Sequence, residues 1–442
     1  MNFADFVLGV TADDLPPEVI EQARRQLLDL IGVAAAGRGT TLSSIIVDHA
    51  AEQFGPGGKA ASILFDGRMA SPTGAALAGG MIIDSLDAHD GHKLTKGHAG
   101  CGLFPSVLAI AEAEGLEDGR EFLARIALGY EIGVRAGMAL HATAPDYHTS
   151  GAWVAVSCAA LGARALGLDA ERLRHAVGIA EYHGPRSQMM RVIDHPTMLK
   201  DGSGYGAMAG TSAAYLARAG FTGAPAITVE GADVAATWLD LGSRWRIFEQ
   251  YVKPHPVCRW AQPAVEASMR LMAQYRVDAT EVAGIAVETF HEAVRLAARR
   301  PQSTEEAQYS LPFPVAAAIA RGRLGPAEVT GEALRDPVIL AMADRVELIE
   351  NHECNTAFPA HRFASVTLKL KDGRWLNSGM TEARGDPEAP FDDDFMRGKY
   401  RDYAGPTLGE TRAKAIEEAV DGLASGRTTV SRLVELLAPP PG

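Results

Sequence analysis

Apolar residues recur at helical spacing through most of the first half of the chain. The pattern predicts helices over Val19–Ala36, Ser71–Leu86, Leu103–Glu114, Arg120–His141, Trp153–Leu166, Asp169–Ala180 and Ala207–Ala219. Pro16 and Pro17 suit the start of the first of these, and Gly37 suits its end. Small residues are frequent on these faces, so the helices are expected to pack closely, some of them buried on several sides. The period shifts near residue 255. Ala283–Phe290 and Ala364–Leu370 alternate as strands do, and Lys371 to Arg374 supplies a hairpin turn before Trp375–Met380. Helical spacing over Phe313–Gly322 and Gly331–Leu348 lies between the strands. Pro387, Pro390 and the acidic run after them read as a linker, and helical signal returns at Glu410–Leu423 and Val430–Leu437. The expected fold class is mainly α. Residues 1–254 and 391–442 form one helical domain from both chain ends, and residues 255–390 form an inserted α+β domain.

Composition narrows the partners. A chain of 442 residues with 47% hydrophobic and 22% charged residues has the balance of a soluble globular protein and the length for two domains. A net charge of -13 argues against a nucleic-acid or anionic-membrane partner. An anionic ligand would have to be met by a local cluster of Lys and Arg. Cys101, Cys158, Cys258 and Cys354 are scattered without C-x-x-C spacing, which suits reduced thiols in a cytoplasmic protein. Met1–Asp14 lacks the basic start of a signal peptide, and Gly79, Gly80 and Asp84 interrupt the best candidate for a membrane span.

The densest chemistry lies at residues 84–98, between two apolar helical patterns. Asp84, Asp87, Asp90, His89, His92, His98, Lys93 and Lys96 all fall in this stretch. Such a knot is costly to bury unless its members pair with one another or with a ligand, and groups that shift each other's pKa gather where proton chemistry is done. A carboxylate such as Asp87 or Asp90 beside His98 can set its tautomer and tune it as a base or acid. Lys93 and Lys96 could neutralise a substrate carboxylate, and Gly91, Gly97 and Gly100 allow sharp turns. Two other readings compete: a solvated loop with surface ion pairs, and a metal site in which His89, His92 and His98 join Asp87 or Asp90.

Three further segments carry candidate groups. Tyr147, His148, Thr149 and Ser150 precede the Trp153 helix and could bind an anion there, or simply cap it. The glycine-rich run from Lys200 to Gly210 has no strand before it, so it reads as a helix start that places Lys200 beside a ligand rather than as a nucleotide loop. Arg186 and Arg191 lie upstream in a loop with no evident core role and could hold carboxylates. At the domain junction Lys253, His255, Cys258 and Arg259 surround Pro254 and Pro256, a hinge suited to a substrate cleft between domains. Cys258 there is either a reactive thiol or a small core residue.

Together these segments resemble the MmgE/PrpD family, which includes 2-methylcitrate dehydratase, cis-aconitate decarboxylase and iminodisuccinate epimerase. The resemblance runs through Asp87 and Asp90, Gly97-His98, Leu103 to Ser106, Tyr147-His148, Lys200 with Gly204, Ala219 to Gly223, Lys253 to Arg259, and Ala307 to Pro314. It implies a helical domain with an inserted α+β lid, a homodimer, and a site between the two domains that uses no metal or organic cofactor. The implied reaction removes a proton next to a carboxylate of a small polycarboxylic acid. By position it implies catalytic roles for Asp87, Asp90, His98, His148 and Lys200. Lys93, Lys96, Arg186, Lys253, Cys258, Arg259 and Tyr309 are expected to bind substrate. The chain has Cys258 where the decarboxylase carries a histidine, and Phe313 where it carries a tyrosine, with Tyr309 nearby. These departures point away from decarboxylation of cis-aconitate. The expected activity is a hydro-lyase like 2-methylcitrate dehydratase, with a dicarboxylate epimerase as the alternative and a metal-dependent hydrolase built on the 84–98 loop as a third reading.

Overall fold

The computed structural model describes residues 1–438. Two hydrophobic cores organise them. The first gathers side chains from Phe6 to Ile247 and then, after a long gap in sequence, from Tyr400 to Leu437. The second gathers Val257 to Leu376, joined by Met189, Val192 and Ile193 from the first half of the chain.

The first core is helical, as its periodicity requires. Helices span Pro17–Gly37, Pro72–Asp84, Gly100–Glu114, Gly119–Thr143, Gly151–Ala165, Ala170–His183 and Ser203–Arg218, within a few residues of the spans the pattern predicts. Pro72–Asp84 starts at a Ser71 cap whose side chain accepts from the Gly74 amide, and all but Thr73 of its residues are buried. Its small residues let neighbours approach. A Cβ on Gly80 would lie 2.6 Å from the Gly204 Cα, so these two helices touch backbone to backbone. Among the described residues no single helix is long and apolar enough to cross a membrane.

The helix Asp393–Leu408 was not expected, because its sequence is mostly polar. Its Asp392 cap accepts from the Phe395 amide, and only one face is buried, through Met396, Lys399, Tyr400, Tyr403 and Ala404. That face packs on Pro17–Gly37, where Gly32 lies against Tyr400.

The second core covers one face of a four-stranded sheet. Val282–Thr289 is central, antiparallel to Ala364–Leu370 and parallel to Val346–Glu350, and Trp375–Asn377 completes the other edge. The expected single helix over Gly331–Leu348 is overturned. Pro337 begins a new short helix, Pro337–Ala343, capped by Asp336, and the chain then turns into the strand Val346–Glu350. A parallel pair needs a long crossover, and the helices Pro312–Arg321 and Pro337–Ala343 lie within it.

Between the cores runs the 84–98 segment. Gly91–His92 pairs with Gln250–Tyr251, and His92 bridges back to Gly97, so the loop is fastened to the chain just before Lys253. Its aspartates and histidines are buried, which removes the solvated-loop reading.

Candidate active site

The loop's first carboxylate meets a lysine from the junction. Asp87 and Lys253 are both fully buried and form an ion pair, and the Lys253 ammonium also reaches the Asp87 carbonyl at 3.3 Å. Burial alone would push the Asp87 carboxyl up, but Lys253, then His98 and Lys200, more than offset it and hold it well below the usual carboxylate range. Burial likewise works against the Lys253 charge, and Asp87 reverses that, so its pKa is raised. Both partners are therefore fixed in their charged forms.

His98 stands beside this pair, its Nε2 3.7 Å from Asp87 Oδ1. Its Nδ1 lies 2.5 Å from the Asp90 carbonyl oxygen. A carbonyl can only accept, so Nδ1 carries the hydrogen and Nε2 holds a lone pair. Burial, then the Lys253 charge and His89, depress the His98 pKa well below its ordinary value, which keeps the ring neutral. The backbone is equally fixed, since the His98 amide donates to Ser150 Oγ at 2.8 Å and Ser150 in turn donates to the buried Asp201.

Gln308 links the loop to Lys200. Its Oε1 accepts from the Asp87 amide at 2.8 Å and from Lys200 Nζ at 2.6 Å, while its Nε2 donates to the Ser85 carbonyl at 3.0 Å and to Thr304 at 2.8 Å. Lys200 sits in left-handed backbone just before the Ser203–Arg218 helix and is buried. Its pKa is lowered by burial, with Asp87 and Asp84 pulling the other way. Its ammonium lies 4.8 Å over the ring of Tyr309, whose buried hydroxyl has no hydrogen-bond partner. Burial keeps that phenol protonated well above its ordinary value.

Asp87, His98 and Tyr309 face a small cavity of about 20 Å³, closed over by Trp260, Cys258 and Arg362 from the second core. That is room for about one water, far below the several hundred Å³ typical of ligand pockets. Tyr147, Lys96, Tyr251, Met189 and Arg259 complete the wall. The cavity lies between the two cores.

Of the residues singled out from sequence, Asp87, His98, Lys96, Cys258, Arg259 and Tyr309 line the cavity. Lys200 and Lys253 stand directly behind it through Gln308 and Asp87. Asp90 acts through its carbonyl, and its buried side chain accepts from the Gly100 amide at 3.3 Å. Cys258 is a buried thiol whose pKa burial pushes up to about 12, so it is no thiolate nucleophile at neutral pH. Arg259 touches the cavity but is spent on Asp386 at 2.8 Å and on the Ala383 and Arg384 carbonyls, each at 3.0 Å. Lys93 faces Asp386 at 3.3 Å and Glu388 at 3.0 Å instead of the cavity. His148 is half-buried outside the cavity wall, its Nδ1 bound to the Asp146 carbonyl at 2.7 Å and its ring stacked on His141. Arg186 is exposed.

The metal reading is partly built. Asp87, His89 and His98 each offer a buried donor atom, all within 4.8 Å of one another. His92, grouped with them from sequence, turns instead to Glu249 at 3.0 Å. The Lys253 ammonium already holds Asp87 Oδ1, so a divalent ion would share that oxygen with a buried cation and be repelled by it. The donor set does not fit a metal.

Three residues of the site had no role in the sequence reading. Tyr251 and Gln308 appeared only inside quoted segments, and Arg362 not at all. The signal for Tyr251 was its place two residues before Lys253 on the hinge. Arg362 offered none, because it reaches the site only through the second core's packing.

Residues 1–246 match the MmgE/PrpD N-terminal domain and residues 255–425 the MmgE/PrpD C-terminal domain. A cis-aconitate decarboxylase-like protein of Aspergillus oryzae is 23% identical, the alignment covering 99% of this chain and 96% of that protein. The cis-aconitate decarboxylase of Aspergillus terreus is 24% identical over 97% of this chain and 94% of its own. The cis-aconitate decarboxylase of Homo sapiens is 23% identical over 96% and 91%.

Proposed function

The chain belongs to the MmgE/PrpD family and is an enzyme of the lyase type, and from that premise we propose that it removes a proton α to a carboxylate of a tricarboxylic acid and expels a β-hydroxyl. One observation carries the reading: a neutral His98 whose tautomer leaves Nε2 free, beside an Asp87–Lys253 pair locked in its charged state. His98 Nε2 takes the proton. The imidazolium that forms is stabilised by the Asp87 carboxylate 3.7 Å away. The electron pair released from the C–H bond moves onto the neighbouring carboxylate, where the buried Lys253 and Lys200 charges stabilise the enolate-like intermediate. The carbon–oxygen bond then breaks as the Tyr309 hydroxyl gives its proton to the departing oxygen, and water and an alkene result. The Lys200 ammonium over its ring holds the Tyr309 phenolate until the proton taken by His98 passes back to it through solvent, which restores the neutral imidazole and the phenol together. In this assignment the acid is Tyr309, and His148, bound elsewhere, takes no part.

The relatives' names point to cis-aconitate as a reference compound, and the test includes it. The metal-stripped protein is incubated in heavy water with a panel of di- and tricarboxylic acids, cis-aconitate among them, and followed by proton NMR. Deuterium beside a carboxylate together with water loss or addition supports the reading. Carbon dioxide release from cis-aconitate would replace it by decarboxylation, and inversion without an alkene by epimerisation. Activity that returns only on adding a divalent ion would overturn the cofactor-independent mechanism.

A further inference from the structure

Two buried guanidinium groups lie over the faces of Tyr251, and they differ in what their donors do. Arg259 sits 4.7 Å from the ring centroid, and its terminal nitrogens are taken up by Asp386 and two carbonyls. Arg362 sits 5.5 Å from the same ring and is 4% exposed. Its Nη2 donates to the Lys93 carbonyl at 3.2 Å, while its buried Nε and Nη1 have no partner. No carboxylate lies within ion-pair distance of it among the described residues. A buried guanidinium with two idle donors is an expensive arrangement without an anion to meet it.

Lys96 adds a second unmatched charge on the same wall. It is half-buried, forms no ion pair among the described residues, and lies 4.8 Å over the ring of Tyr147. Its backbone is held at φ 51°, in the left-handed region that a lysine enters only when its surroundings impose it. Burial and the Arg362 charge both work against its protonation and outweigh the opposing pull of Glu292, so the two cations repel each other along that wall. Lys253, behind the cavity, is by contrast matched by Asp87.

We propose that Arg362, with Lys96 beside it, forms a subsite for a second carboxylate of the substrate, remote from the one at which the proton is lost, and so selects polycarboxylates over monocarboxylates. The inference rests on the proton-abstraction reading for the reacting end. Either idle donor of Arg362, Nε or Nη1, can join the second hydrogen of Nη2 on one edge of the guanidinium and meet two carboxylate oxygens, the geometry of bidentate recognition. The residue comes from the second core, so the same contact would draw that core down on the substrate and close the cavity around it.

The test measures binding of two probes, propane-1,2,3-tricarboxylate and butanoate, by NMR titration of the wild-type chain and of the Arg362→Gln and Arg362→Lys variants. Thermal melts establish that each variant is folded. Arg362→Gln should weaken the tricarboxylate about 100-fold while moving butanoate less than about threefold, and Arg362→Lys, which keeps the charge but loses the fork, should fall between. An unchanged tricarboxylate affinity in folded Arg362→Gln overturns the subsite and leaves the functional reading standing. Equal losses for both probes overturn it as well, since Arg362 would then only hold the Lys93 carbonyl. If Arg362→Gln does not fold, Arg362→Lys decides alone: a tricarboxylate loss of about tenfold with butanoate unmoved supports the subsite, and any other pattern overturns it. Failure of the wild-type chain to bind either probe sinks the functional reading, and the subsite with it.

Discussion

Two buried lysine–aspartate pairs flank the peptide after Leu86, and they behave in opposite ways. In one, Lys253 holds Asp87, and both groups are pushed further into their charged forms. In the other, Lys399 holds Asp29 at 2.7 Å and donates to the Ala88 carbonyl at 2.7 Å, yet burial raises the Asp29 pKa and lowers that of Lys399. The pairs are alike in chemistry and burial. The difference is the field around them. Asp87 is faced by Lys253, His98, Lys200 and His89 together, whereas Asp29 depends mainly on one lysine. A single buried pair is a scaffold that costs nearly what it returns. Two buried ammonium groups, Lys253 and Lys200, converging on one carboxylate make a charged floor on which proton transfer can be done.

The comparison breaks most readily at His98. His98→Gln should lower kcat by about 1,000-fold, the scale of a lost general base, while leaving the melting transition in place. A loss under tenfold would move the base elsewhere. Lys253→Met should be nearly as severe, and it carries a sign. Removing a charge that depresses the His98 pKa raises that pKa, so the acid limb of kcat/KM should move to higher pH in whatever activity remains. Tyr309→Phe separates the two halves of the reaction: water loss should fall about 100-fold while deuterium exchange at the α carbon persists.

The scaffold pair should answer differently. Lys399→Met leaves Asp29 buried without its partner and should cost about 3–5 kcal/mol in denaturant unfolding, with kcat of the folded fraction changed less than about threefold. The double variant Asp29→Asn with Lys399→Met should recover much of that stability. A large drop in kcat with little loss of stability would mean that Lys399 belongs to the site.

The smallest effect concerns stability against pH. In the unfolded chain His98 takes up a proton near pH 6.5, and in the folded protein it does so only well below that. The unfolded state therefore binds more protons as pH falls below about 6.5, and stability declines there. His98→Gln should remove part of that decline, visible as a shallower fall of unfolding free energy between pH 7 and pH 5.

The sequence pattern carried most of the helical core and the chemical centre. Period 3.6 is strong in Gly119–Thr143 and Ser203–Arg218 because each buries a continuous stripe. The 84–98 knot stood out because three aspartates and three histidines between apolar helices have no packing role. Weak periodicity hid other parts. Asp393–Leu408 buries only five side chains along its length, so its stripe is diluted by charge. Val346–Glu350 is an edge strand with mostly exposed positions, and its alternation merged with the helix before it. Lys93 looked like a substrate cation because Asp386 and Glu388 are nearly 300 positions away. Arg362 was invisible for the converse reason, since its role depends on donors left unpaired by a three-dimensional arrangement.

Lys399 lies in the last tenth of the chain, yet it grips the carbonyl of Ala88 in the loop that holds Asp87 and His98. During synthesis the ribosome delivers that loop more than 300 residues before the lysine that fixes it. The Ala88 carbonyl thus stays without this partner until the helix Asp393–Leu408 has been made and docks on Pro17–Gly37.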